Sequence, residues 1–485
     1  MGSAACALLL SVGLSTAAHA EADAVAPAGT GSPAVTPATG GNGVPVIFGH
    51  TSFDLASVGY TQSEYFVEGT ARAFTPTAPL TSDGRWTLTT TSPAAYKTRI
   101  VVNRPVERRK FNGTVVVEWL NVSGGADASP DWIHMHDELI RQGYAWVGVS
   151  AQAVGLNALK VAPMGDPARY ASLVHPGDSY SYDMYSQAGR AVRDDARTVL
   201  GGLRPRHVIA VGESQSAGRL VTYIDAAHPL AHVYDGFLVH SRSGGGAPLS
   251  QAPLPTVATP VPTLIRTDLD VPVLVFTTET DMGSLPARQP DSSRYRLWEA
   301  AGTAHFDLYG LTQGATDTGD LATAEDWFAS MQHPTAQPSP NFTCAVPINS
   351  GPQTFVLRAG IAALDRWVAH GTPPPKAPRF ETTGTPAQYV LDANGIVRGG
   401  IRTPAVDAPV AKLSGLGQTG GTPFCALFGT TVPFTNEQLT AQYRSHGRFV
   451  LAWSRATLSA FASGFLRPVD AFTLLVVGAR SDVLD

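Results

Sequence analysis

The 485 residues are 44% apolar and only 15% charged, enough to bury a large core, and 48 glycines with 37 prolines call for many ordered loops. A net charge of −5 without a basic cluster argues against nucleic acid or an anionic membrane as the partner. The length exceeds one average domain, but α/β chains of this size commonly form a single unit.

Residues 1–20 carry an apolar stretch from Ala4 to Leu14 and end in Ala18-His19-Ala20, a small-x-small pattern that predicts a cleaved secretory signal without the usual basic start. The stretch is too short to span a bilayer, and no later one is longer, so no transmembrane segment is expected. A secreted or periplasmic protein follows. Residues 21–43, rich in Ala, Gly, Pro, Ser and Thr, read as a flexible leader, and folding is expected to start at Val44. Cys6 leaves with the signal. Cys344 and Cys425 remain, and an even pair in an oxidising compartment predicts one disulfide.

From Val44 to Arg109, short apolar alternations such as Tyr65-Phe66-Val67, Trp86-Thr87-Leu88 and Thr98 to Val102 predict antiparallel strands. Strands and helices then alternate, the mark of a mostly parallel sheet with helices on both faces. TVVVEWL (114–120) reads as a strand and residues from Pro130 as a helix. Tyr144 to Val149 is a second strand, 179–203 holds a long helix, and Val208 to Val211 is a third strand. Further strands are expected at Gly236 to Val239, Val271 to Thr277 and Tyr295 to Glu299. Phe355 to Val368 has helical spacing, residues 376–434 read as Gly/Pro/Thr-rich loops, and 436–480 is largely helical. The expected division is one α/β domain over 44–485, with a core at about 110–372 and a C-terminal decoration at about 373–485.

The chemistry concentrates at HVIAVGESQSAGRL (207–220), where an apolar strand meets a sharp turn and then a helical pattern. Such a turn lifts its apex out of the sheet, here Ser214, provided the neighbours are small. Against the G-x-S-x-G pattern, Ser216 replaces the last glycine, and Gly218 is available for close helix packing. A rival register puts Ser216 at the apex, but Ser214 has the better position relative to the strand end. A hydroxyl needs a base, and the base needs an orienting acid. VFTTETD (275–281) offers Asp281, with Glu279 as the alternate acid, and GTAHFD (302–307) offers His305. Their order after Ser214 is that of an α/β-hydrolase. Oxyanion donors are expected from the backbone N–H of Gln215 and of Val122 or Ser123.

His134 and His136, two apart on a helix, face different ways and cannot share a metal; one is expected in solvent and one packed. No metal or cofactor is required. Trp119, Trp132 and Trp298 are assigned to core packing before cleft lining. Asn121-Val122-Ser123 and Asn341-Phe342-Thr343 fit the glycosylation sequon.

Together FNGTVVVEWLNVSGG (111–125), PDWIHMHDEL (130–139), VGESQSAGRL (211–220), VFTTETD (275–281) and LWEAAGTAHFD (297–307) resemble the alpha/beta hydrolase domain family of secreted esterase-like proteins with a GESQSAG elbow. The resemblance implies that serine after the elbow is a family trait and that Ser214 is the nucleophile. The expected activity is hydrolysis of a small or polymeric carboxylic ester. The alternatives are amide, peptide or lactone cleavage, or a non-catalytic binding protein on the same scaffold.

Overall fold

The computed structural model describes residues 32–485; the expected signal segment and the start of the expected leader lie outside the described residues. A nine-stranded sheet forms the centre, in the order β1-β2-β3-β5-β4-β6-β7-β8-β9. β1 (Ala34–Pro37), β2 (Tyr60–Pro76) and β3 (Leu88–Pro105) make the antiparallel side. β3 pairs antiparallel with β5 (Ala145–Val149), and from there β4 (Thr114–Trp119), β6 (His207–Glu213), β7 (Gly236–His240), β8 (Val273–Thr277) and β9 (Tyr295–Glu299) follow in parallel.

The parallel strands are buried on both faces, so their sequences are continuous apolar runs rather than alternations. On one face Val115, Val117, Val208 and Ala210 pack with residues of helix α2 (Ser181–Asp194) and of the elbow helix α3 (Gln215–Thr222). On the other, Val116, Ile209 and Leu274 pack with α1 (Pro130–Gln142) and a later helix, α5 (Gln353–His370). Helix α1 ends at Gly143, whose φ of 76° and close approach to the Lys110 carbonyl leave no room for a Cβ. At its start, the N-cap Ser129 hydroxyl caps no helix N–H, because it donates to the Gly49 carbonyl at 2.7 Å. Instead the buried Glu118 carboxyl accepts from the Asp131 and Trp132 backbone N–H and from Trp146 Nε1.

Several expectations change. Order begins before Val44, because Ala34–Pro37 pairs with Tyr65–Glu68 of β2. The long helix expected over 179–203 breaks at Asp195, which caps a separate turn, Ala196–Val199. His134 and His136 are both fully buried, since α1 is covered on its outer side as well: His136 Nε2–H donates to the Asp317 carbonyl, and His134 meets Asp307. Trp119, Trp132 and Trp298 all lie in the core.

Beyond residue 372, two short strands, Ala411–Ser414 and Thr430–Pro433, pair antiparallel where only loops were expected. A third core joins α4 (Leu321–Gln332) to α6 (His446–Ala462) and α7 (Pro468–Arg480) through Trp327, Phe328, Phe449 and Trp453. The buried Arg358 guanidinium of α5 pins this layer down, meeting Asp137 of α1, Asp317 and Asp470 of α7 at 3.0, 2.8 and 3.4 Å. Among the described residues no helix is long and apolar enough to cross a membrane.

Candidate active site

At the end of β6 the backbone turns through Ser214 with φ 59° and ψ −116°, a conformation that a residue with a Cβ holds only under surrounding constraint. Two contacts supply that constraint. Ser214 N–H donates to the His240 carbonyl at 2.9 Å, and Gly212 lets the helix fold back so closely that a Cβ there would meet the Ser216 backbone at 3.2 Å. Gly218 is under no such pressure: its nearest neighbour, Ala247 N, would lie 3.7 Å from a Cβ. Ser216 is buried on the helix with its hydroxyl unpartnered, so it is Ser214 that stands at the apex.

His305 reaches the same point from the loop after β9. Its Nε2 lies 2.6 Å from Ser214 Oγ and its Nδ1 lies 2.6 Å from Asp281 Oδ1. The other Asp281 oxygen accepts from Thr278 N–H and Thr278 Oγ1–H at 2.8 and 2.9 Å. Burial pushes the Asp281 carboxyl upward, but His305 and these hydrogen bonds outweigh it, and the pKa falls below the usual aspartate range. Glu279, the alternate acid, does not meet His305. Its oxygens accept from the backbone N–H of Gly302 and Gly415 at 2.6 and 2.8 Å, and burial lifts its pKa to about 7.

A second carboxylate, absent from the sequence expectation, touches the histidine. Glu213 Oε1 lies 3.1 Å from His305 Nε2. Burial raises the Glu213 pKa to about 8, partly offset by His305. Burial disfavours the His305 cation, yet Asp281 and Glu213 together raise its pKa to about 9. Asn121 holds Glu213 in place: its Nδ2 donates to the Glu213 carbonyl at 3.0 Å and to Oε2 at 3.1 Å. Thus Asn121 is buried and engaged, which removes the first sequon as a glycosylation site. The sequence signal for both residues was adjacency: Glu213 precedes the apex serine, and Asn121 opens the loop facing it.

The loop after β4 comes to the elbow, with a difference between its two expected donors. Ser123 N–H is already bonded to Asn121 Oδ1 at 2.8 Å, whereas Val122 N–H has no acceptor among the described residues. The Gln215 side chain is tied to Gln152, 2.9 Å away. A cleft of about 570 Å³ opens over Ser214 and His305, with Arg219, Arg242, Pro248 and Leu427 in its walls.

Leu427 belongs to the C-terminal layer, which also braces the loops of the site. Phe306 N–H donates to the Leu427 carbonyl, and Thr280 Oγ1 donates to the Gly415 carbonyl while accepting from His305 N–H. Cys344 and Cys425 are joined as a disulfide, with Cα atoms 5.5 Å apart, two residues from Leu427.

This fold and sheet order belong to an α/β-hydrolase, and residues 31–475 match the family described as alpha/beta hydrolase domain. The chain is a member of that family. No curated protein matches it. Among solved structures it is similar to a putative dienelactone hydrolase of Klebsiella pneumoniae, at 13% identity and TM-score 0.25, over 44% of this chain and 75% of that one. It is also similar to a fungal esterase of Rhizomucor miehei, at 13% identity and TM-score 0.23, over 47% and 73%. A thermostable esterase of Pseudomonas putida gives 15% identity and TM-score 0.26, over 47% and 66%.

Proposed function

We propose that the protein is a secreted serine hydrolase that cleaves a carboxylic ester through an acyl-enzyme. The observation that carries this reading is the chain Ser214 Oγ to His305 Nε2 to Asp281, at 2.6 Å in each link, opening into a solvent cleft. His305 Nε2 takes the Ser214 proton as Oγ bonds to the carbonyl carbon, and Asp281 steadies the resulting imidazolium. The tetrahedral oxyanion is received by the backbone N–H of Gln215 and Val122. The C–O bond to the alcohol breaks as Nε2 returns the proton to the leaving oxygen. Water, deprotonated by the same nitrogen, then attacks the acyl carbon, the C–Oγ bond breaks as Nε2 returns the proton to Ser214, and the acid leaves.

Export rests on the N-terminal sequence and agrees with a disulfide, which forms in oxidising compartments. Ser214→Ala is expected to abolish turnover of p-nitrophenyl acyl esters and labelling by a fluorophosphonate while keeping the circular dichroism of the parent. Retained turnover in that variant, or an unlabelled parent protein, overturns the reading.

A further inference from the structure

Outside the cleft, one cluster of metal-ligating side chains stands out among the described residues. Among the described residues, His228, His232 and Asp270 bring one ligand atom each within 4.8 Å of one another. His228 Nε2 lies 3.7 Å from Asp270 Oδ1, and His232 Nδ1 lies 3.9 Å from Asp270 Oδ2. The two histidines are one helical turn apart on His228–Ala231 and its cap, so their rings share a side, with centroids 5.7 Å apart.

The burial of the three differs in an informative way. His228 is 1% exposed and packed edge-on against Phe237, yet neither of its ring nitrogens has a hydrogen-bond partner. A buried imidazole is normally bonded, because leaving it dry and unpaired costs free energy. His232 and Asp270 are 61% and 69% exposed and stand between that ring and water.

We propose that these three side chains bind a divalent transition metal, with zinc the ion best suited to two imidazoles and one carboxylate. Bond lengths near 2.0–2.1 Å place tetrahedral zinc ligands about 3.3–3.5 Å apart, so the imidazole–carboxylate separations of 3.7 and 3.9 Å close by a few tenths of an ångström, and the widest separation, within 4.8 Å, closes by rotation of the exposed His232 and Asp270 side chains. Water completes the coordination from the solvent side. The place in the fold defines the role. His228 follows directly on the helical run that begins at Ser214, and Asp270 lies just before β8, which leads to Asp281. The site sits at the start of β8, the end opposite the cleft, so the metal ties the far ends of two site-bearing elements together and takes no part in the reaction.

The test is calorimetric titration of the chelator-treated full chain with zinc chloride alone. One equivalent is expected to bind with a dissociation constant of about 1 μM or lower, and the melting temperature is expected to rise on addition. His232→Ala and Asp270→Asn change exposed side chains and should fold as the parent does; each is expected to weaken zinc at least about tenfold and to cancel the melting shift. Cobalt(II) is expected to give visible d–d absorption in the parent and not in these variants. Ser214→Ala is expected to bind as the parent does, which separates this site from the proposed hydrolysis. Absence of stoichiometric uptake, or uptake unchanged in both surface variants, overturns the proposal.

Discussion

Glu213 Oε1 and His305 Nε2 stand 3.1 Å apart, on the same nitrogen that meets Ser214 Oγ at 2.6 Å. The proposed base is therefore flanked by carboxylates at both ring nitrogens. Both favour its protonated form, which helps the imidazolium but reduces the free base at low pH. Removing one of them must lower the His305 pKa. Glu213→Gln is accordingly expected to move the acid limb of the kcat/KM profile to lower pH, raising the pH 6 to pH 9 activity ratio. An unmoved limb would show that Glu213 has no electrostatic hold on His305.

The two candidate acids separate by mutation. Asp281→Asn keeps the shape but disturbs the histidine tautomer, and is expected to cost about 10⁴ in kcat. Glu279→Gln, away from His305, is expected to stay within about tenfold of the parent. Steady-state kinetics on one ester decides it; comparable losses would mean that Glu279 also serves the histidine.

Glu279 has a separate signature in stability. Burial lifts its folded pKa to about 7, above the ordinary 4.5, so its contribution is fully present below about pH 4.5 and is lost as pH rises through 7. A neutral glutamine in its place escapes that loss. Melting curves are expected to show Glu279→Gln gaining on the parent between pH 5 and pH 8. A constant difference across that range would contradict a buried, elevated carboxyl.

Ser216 tests the register of the elbow. Its hydroxyl is buried and unpartnered, so Ser216→Ala is expected to keep activity within about threefold and leave stability equal or slightly higher. Loss of fluorophosphonate labelling in this variant, with labelling kept in Ser214→Ala, would reverse the assignment.

Cys344 and Cys425 close a loop with a sequence separation of 81 residues, for which the chain-entropy model gives about 4–5 kcal/mol. The double serine variant is expected to melt at a lower temperature and to lose ester turnover below its global melting point, because the Leu427 carbonyl holds Phe306, the residue next to His305. Activity surviving up to the global transition would show that the bridge does not support the site.

The sequence made some layers of this organisation legible and hid others for physical reasons. Strands β4, β6 and β8 stand out as apolar runs because both faces are covered, and Ser214, Asp281 and His305 are readable because each follows a strand end in chain order. β1 was hidden, since its AVTP sequence has little strand character of its own and is ordered by pairing with β2. The burial of both His134 and His136 was hidden because periodicity describes one face of a helix, whereas α1 is covered on two sides. Glu213 was hidden by direction: adjacency to Ser214 is plain in the sequence, but the contact with His305 depends on how the turn aims its side chain.

Ser214, Asp281 and His305 are all in place in the chain by residue 305, yet the backbone that braces their loops includes Gly415 and Leu427. During synthesis, the first 305 residues can carry every proposed reacting group and still lack the backbone that braces them. On the proposed reading, turnover would therefore wait until the last third of the polypeptide has folded back onto these loops.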